Sequence, residues 1–380
     1  MKQNDAMALE LSDESIAALR LSLVTHVGPR LQGELIQRFG TATAVLAAAP
    51  SAIREVPGIG STLATAIARA NDTVDVQTEI DRCTEMGIRL IPRGHEDYPD
   101  HLDTIPDPPS ILYVQGELLE HDMLSVAIVG TRHATAYGKR QATRLAGALA
   151  RAGLTIVSGL ARGIDSSAHH GALEAGGRTL AVLPAGLNSI YPTENKELAF
   201  DISQSGALIS ESPSTTPISR GAFPRRNRIV TGLSLGVIVI EAADRSGALL
   251  SAGHAMEQNR EVMAVPGPID SRVSRGCHQL LRDGAVLVES ADDVLEALGP
   301  LFQSTHTDKG ETVHHPAELQ LNEQERSILG HIESVSTGGT LIDEIVSATG
   351  LPVPRVLATV SALEMRRLVV RPSGNRVARR

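Results

Sequence analysis

Residues Ser125–Asp165, SVAIVGTRHATAYGKRQATRLAGALARAGLTIVSGLARGID, decide the fold. Val126 to Val129 is a short apolar run closed by Gly130, the pattern of a buried strand entering a tight turn. Gly138 to Ala152 follows with Leu145, Ala146, Leu149 and Ala150 at helical spacing, and Gly153 stands where a helix is capped. A second apolar run, Leu154 to Val157, ends in Ser158-Gly159. Strand, helix and strand in this order call for parallel pairing through a right-handed crossover.

Both strands end in small-residue turns that carry an arginine: Gly130-Thr131-Arg132, and Ser158-Gly159-Leu160-Ala161-Arg162-Gly163. Ligands of parallel sheets bind beyond the carboxyl ends of the strands. Glycines there let backbone N–H groups approach an anion, and arginine offers phosphate a two-pronged fork. Each turn taken singly reads equally as a tight bend with a solvated arginine. Two of them on consecutive strand ends favour a phosphate-binding crevice.

The same alternation continues downstream. Strands are expected at Arg178–Leu183, Ala207–Ser210, Val237–Ile240, Glu261–Val265 and Ala285–Val288, with helices between them. This sets the class as α/β with a mainly parallel, extended Rossmann-like sheet. GIRLIP (87–92) and ILYV (111–114) read as short additional strands. Before them, Ser12 to about Asn71 is helical. Its segments His26–Leu31 and Val56–Ala64 each place a glycine turn ahead of a helix, and the second resembles the hairpin of a helix–hairpin–helix (SAM-like) domain. That hairpin either contacts DNA phosphate through its backbone or only packs. Gln303 to Pro316 is polar and reads as a linker. Three helical patterns (322–332, 341–349, 354–368) and a hairpin then suggest a winged-helix-like domain. Its third helix, with Arg355, Arg366 and Arg367, either enters a DNA groove or serves a protein contact. The expected domains are therefore residues 1–80, 81–300 and 320–380, with the linker at 301–319.

Charge is distributed unevenly. The 380-residue chain has a net charge of −9, which disfavours nonspecific nucleic-acid binding by the whole surface. Yet Ser212–Ile240 holds four arginines and no acid, and Leu351–Arg380 holds seven arginines against Glu364 alone. No apolar run is long enough for a membrane span. The first residues lack a signal-peptide pattern, and Cys83 and Cys277 have neither disulfide nor metal spacing, so a cytoplasmic protein is expected. No metal constellation, Walker A sequence or GxGxxG is present, and no cofactor is expected. Asp165, His169, His170 and Glu241 are the groups near strand ends. Asp165 reads as a cap for a helix at Ser166, and one of the two histidines as packed against the sheet.

The informative cluster is Arg220-Gly221-Ala222-Phe223-Pro224-Arg225-Arg226-Asn227-Arg228. Aromatics make up only 2% of the chain, so a phenylalanine among arginines stands out. Sequence-tolerant single-strand binding needs a positive groove and an aromatic face for a base. The competing reading puts Phe223 in the core and pairs Arg226 or Arg228 with Glu241. Arg220 and Phe223 suit a ligand better than Arg228 does.

The stretches AIVGTRHATAYG, IVSGLARGIDSSAHHGAL, AVLPAGLNSIYPTENKEL, FPRRNRIVTGLS, VIVIEAADRSGALLSAGHAMEQNREVMAVPG and GCHQLLRDGA, in this order, closely resemble the DNA-processing protein A family (DprA, also called Smf). The resemblance spans most of residues 95–290. It implies a non-enzymatic, homodimeric protein that binds single-stranded DNA and loads the recombinase RecA in natural transformation. Carried over by motif, Arg132 binds phosphate, and Gly130, Ser158, Gly159, Arg162 and Gly163 line the same pocket. Lys196 contacts DNA, and Arg220, Phe223, Arg226 and Asn227 complete the set. Thr131 stands where serine is usual, and Ala248 and Ser251 lie in a stretch that usually reads SGSLITA. Two rival classes follow from the residues: a nucleotide-processing enzyme of the phosphoribohydrolase type, and a regulator binding duplex DNA through the terminal domains. The first should carry a PGGxGT-like turn, which EAADRSGALL and AVPGPID do not match.

Overall fold

The computed structural model describes residues 11–219, 221–299, 305–306, 312–313, 321–333, 339–365, 368–373 and 375–379. Expectations for the first ten residues, Arg220, Arg366, Arg367 and most of the linker lie outside the described residues. The chain divides into two compact units, residues 1–289 and 290–380.

The first unit is built on a nine-stranded sheet. Its strands are β1 (Ile88–Pro92), β2 (Ile111–Gly116), β3 (Ser125–Gly130), β4 (Thr155–Ser158), β5 (Thr179–Val182), β6 (Ala207–Ser210), β7 (Gly236–Ile240), β8 (Glu261–Ala264) and β9 (Val286–Leu287). The spatial order is β1-β2-β6-β5-β4-β3-β7-β8-β9. From β6 to β9 all pairings are parallel, while β1 and β2 add an antiparallel edge. The chain runs outward from β3 through β4 and β5 to β6, then returns to the other side of β3 as β7. That reversal opens a crevice at the carboxyl ends of β3 and β7.

Both faces of the sheet are covered, which explains why β3 and β7 read as continuous apolar runs. Alternate residues serve different cores. Leu90, Tyr113, Ala181 and Leu208 belong to one, and Ile91, Leu112, Val182 and Ile209 to the other. The N-terminal helices α1 (Asp13–Leu23), α2 (Pro29–Phe39), α3 (Ala42–Ala47), α4 (Pro50–Ile53), α5 (Ser61–Ala68), α6 (Ala70–Thr73) and α7 (Val76–Glu85) share the first core. Gly28 and Gly60 are the N-caps of α2 and α5, as the two glycine turns in the sequence anticipate.

The remaining helices of this unit are α8 (Asp100–Asp103), α9 (Ala136–Arg151), α10 (Ile164–Glu174), α11 (Lys196–Ser205), α12 (Ala222–Gly232), α13 (Gly247–Glu257) and α14 (Arg275–Arg282). The α9 helix starts two residues before the apolar pattern does, because the Thr135 hydroxyl accepts from Gly138 N at 3.2 Å. A Cβ at Gly171 would lie 2.4 Å from Thr143 O, so α9 and α10 pack in backbone contact. Within α10, His169 is fully buried with Nδ1 2.7 Å from Thr179 Oγ1. Burial first, then His170 and Arg226, pushes its pKa down to about 3, so it is a neutral packing residue, as the sequence suggests.

The second unit holds α15 (Ala291–Leu298) and the winged-helix elements. These are α16 (Glu323–Gly330), α17 (Ile342–Thr349) and α18 (Val353–Met365), with a three-stranded sheet of residues 340–341, 376–379 and 369–373 in that order. Ile328, Ile345, Val356, Val360 and Leu363 form its core. On α18, Arg355 is exposed, and so are Val353 and Leu357. No single helix among the described residues is long and apolar enough to cross a membrane.

Candidate nucleic-acid interface

The crevice is a cleft of about 560 Å³ lined by the turn after β3, the first turns of α10 and α12, and the start of α13. Gly130 ends β3 so close to β7 that a Cβ would lie 1.9 Å from Ile240 O. The next two residues lead to Arg132, whose side chain is solvent-exposed. Its guanidinium carbon sits 4.3 Å from the centroid of the Phe223 ring, a cation–π stack. Phe223 is half-buried at the start of α12, and Tyr191 meets it edge-on with centroids 6.1 Å apart. A cationic fork over the Phe223 ring, with Tyr191 beside it, offers phosphate and base contacts side by side at the rim of a strand-end crevice.

Beneath this rim lies Arg226, only 5% exposed, with Nη1 donating to Val182 O at 2.9 Å. Its guanidinium occupies the space a side chain at Gly159 would need, since a Cβ there would fall 1.4 Å from Nη1. Burial pushes its pKa down to about 10, opposed by the charge of Asp165, so it remains a cation at neutral pH. Asp165 is itself buried, and burial raises its pKa against the pull of Arg226. The helix begins at Ile164, not at Ser166, so Asp165 lies inside its first turn rather than capping it. Its Oδ2 accepts from Ala161 N at 3.3 Å. Gly163, with φ 81°, brings the same turn against Thr131 O. Asn227 is half-buried and donates Nδ2 to Gly247 O at 3.3 Å.

Other expected residues sit differently. Ser158 does not line the cleft. It is fully buried, and its hydroxyl donates to Ile128 O at 2.6 Å, a bond that ties β4 to β3. Arg162 is exposed, and its Nε and Nη2 donate to the two carboxylate oxygens of Glu194 at 2.6 and 2.7 Å. Lys196 is exposed at the start of α11. Arg228 is buried in ion pairs with Asp107 and Glu211, so the pairing with Glu241 is not made by either arginine.

Glu241 has a different task. It directly follows β7 in the left-handed region at φ 53°, a conformation uncommon for a non-glycine, and is 5% exposed. Its carboxylate accepts from Thr135 N at 2.8 Å and from the Thr135 hydroxyl. A Cβ at Gly138 would lie 2.4 Å from that carboxylate. The chain therefore places its own anion on the N-terminus of α9, the position where Rossmann folds commonly seat a ligand phosphate. Thr135→Ala removes the cap and the hydroxyl's bond to Glu241, and leaves the bond from the Thr135 backbone N–H. It should cost about 1.5 kcal/mol, read as a lower urea midpoint with unchanged slope.

Tyr191, Glu194 and Thr135 are site residues that the sequence did not single out. Tyr191 had a signal, since aromatic scarcity marks it as it marks Phe223. Glu194 and Thr135 had none, because their partners lie 32 and 106 residues away.

The nine-stranded sheet, with an arginine and two aromatic rings beside its switch point, defines an extended Rossmann-like α/β domain with a basic, aromatic-rimmed cleft. Residues 89–299 match the family described as DNA recombination-mediator protein A. Residues 12–71 match the DprA-like N-terminal HHH domain, and 313–375 the DprA winged helix domain. The chain belongs to the DNA-processing protein A (DprA/Smf) family. It is 34% identical to Protein Smf of Synechocystis sp. over 95% of this chain and 98% of that one. It is 43% identical to the DNA processing protein DprA of Bacillus subtilis over 56% and 72%. The crystal structure of DprA from Streptococcus pneumoniae superposes with a TM-score of 0.64 at 32% identity, covering 75% of this chain and 97% of that one. The resemblance read from the motifs is thus confirmed.

Proposed function

We propose that this recombination mediator binds single-stranded DNA in the β3/β7 cleft and delivers it, as a homodimer in the cytoplasm, to a RecA recombinase. The observation that carries the reading is the Arg132–Phe223 stack beside Tyr191. Arg132 and Lys196 take phosphates, and Phe223 takes a base on the ring face that Arg132 leaves or shares. Arg226 acts from below by holding the first turn of α12. Single-strand preference follows from the aromatic faces, because paired bases within a duplex do not present theirs.

The role is binding rather than catalysis. The neutral, buried His169 and the committed Glu241 carboxylate are unsuited to proton transfer on a ligand in the cleft, which weighs against a phosphoribohydrolase. The test is fluorescence anisotropy of a labelled oligonucleotide against the full chain at several salt concentrations, with duplex as competitor. Single strands should bind more than tenfold tighter than duplex of the same length. Equal affinity would overturn the reading and transfer attention to the helix–hairpin–helix and winged-helix parts. Release of free base from a nucleotide would restore the enzymatic one.

A further inference from the structure

We infer that Glu194 is a built-in phosphate surrogate that keeps Arg162 occupied until a DNA phosphate displaces it, and so sets the preference of the cleft for a polymer over isolated anions. The inference rests on the single-strand reading above.

The two carboxylate oxygens of Glu194 face Nε and Nη2 of Arg162 at 2.6 and 2.7 Å, the paired geometry a phosphodiester would take on the same fork. The pair is half-exposed, at 53% and 52%, so exchanging one anion for another leaves no buried charge uncompensated. The two segments are already fastened together. Glu194 lies on the short turn Thr193–Asn195, and the buried Asn195 donates Nδ2 to Leu160 O at 2.8 Å and to Ser166 Oγ at 2.9 Å, on either side of Arg162. The pair therefore forms without ordering a loose loop, and a displaced Glu194 stays near the incoming phosphate and repels it.

An isolated phosphate gains little by replacing one carboxylate with another anion on a single fork. A strand already held at Arg132 and Phe223 presents its next phosphate at high effective concentration and displaces Glu194 intramolecularly. Arg162 is then a conditional contact, engaged only by ligands long enough to reach both points.

The experiment is anisotropy titration of a labelled oligothymidylate at several salt concentrations, with wild type, Glu194→Gln, Arg162→Ala and the double variant. All the changes are on the surface and leave the fold intact. Glu194→Gln should tighten binding about three- to fivefold and steepen the log–log salt dependence by up to about 0.7, because in wild type the displaced Glu194 carboxylate regains a cation that offsets the one released from the phosphate at Arg162, and glutamine regains none. Inorganic phosphate should compete better against this variant than against wild type. In the Arg162→Ala background the same substitution should give no gain. An equal gain in that background would reduce Glu194 to a general negative charge and overturn the inference. So would the absence of any gain while Arg132→Ala and Phe223→Ala still weaken binding. If those last two variants bind like wild type, the cleft reading itself falls and takes this inference with it, so the two failures are distinguishable.

Discussion

Phe223→Ala should weaken single-stranded DNA binding by about tenfold to a hundredfold, and Arg132→Ala by about tenfold, with different salt signatures. A base stacked on an aromatic ring contributes roughly 1–3 kcal/mol, and each 1.4 kcal/mol is a factor of ten in Kd. Stacking releases no counterion, so the log–log salt slope of Phe223→Ala should match wild type. Arg132→Ala removes a charge-assisted phosphate contact, and its slope should flatten by about 0.7. The two residues touch, at 4.3 Å, so their effects should be non-additive: the double variant should lose less than the product of the single losses. Phe223→Leu keeps apolar volume at the start of α12 and removes the π-face. If it binds like wild type, Phe223 packs rather than stacks, and the cleft loses its base-binding element.

Much of this arrangement is legible in the sequence, for identifiable reasons. The strands β3 and β7 are buried on both faces, so they write unbroken apolar runs, and the glycine turns after β3 and β4 mark strand ends where ligands bind. Local chemistry is also legible at Phe223, because an aromatic is rare in this chain and its neighbours are arginines. What escapes a linear reading is side-chain destination. Ser158 and Arg162 occur in a turn that suits a phosphate, and Arg226 in a basic cluster beside an aromatic that suits DNA. One hydroxyl ties two strands, one guanidinium meets Glu194, and one is buried against Gly159. Nothing in the spacing distinguishes them, since each fate depends on a partner brought in by another strand. Glu241 is the clearest case. Ending a buried strand, it reads as a partner for an arginine, and only the crossing of β7 beside the α9 N-terminus shows that it takes the anion position instead.

Gly159→Ala should be among the most damaging single substitutions in the first unit, at about 3 kcal/mol, and should abolish binding as well. The added methyl would fall 1.4 Å from Nη1 and 2.2 Å from Cζ of Arg226. The turn cannot retreat, because Ser158 on one side is bonded to Ile128 O and Leu160 on the other is fully buried with φ 59°. The guanidinium must therefore leave a position where it is 5% exposed and bonded to Val182 O. Overpacking of a filled interior and a lost buried hydrogen bond together account for the magnitude. Because Phe223 and Arg226 share the first turn of α12, displacing one tilts the other away from Arg132 and Tyr191, and the aromatic platform is lost with the stability. A second variant separates this cause from general intolerance of the turn. Arg226→Ala is itself destabilising, since it removes the donor to Val182 O and the larger of the charges opposing Asp165, but it also vacates the space the methyl needs. Urea unfolding should place the double variant Gly159→Ala/Arg226→Ala close to Arg226→Ala alone, a strong departure from additivity. If the two losses simply add, the glycine serves the backbone of the turn and not the seating of Arg226. The link from that turn to the position of Phe223 would then be broken.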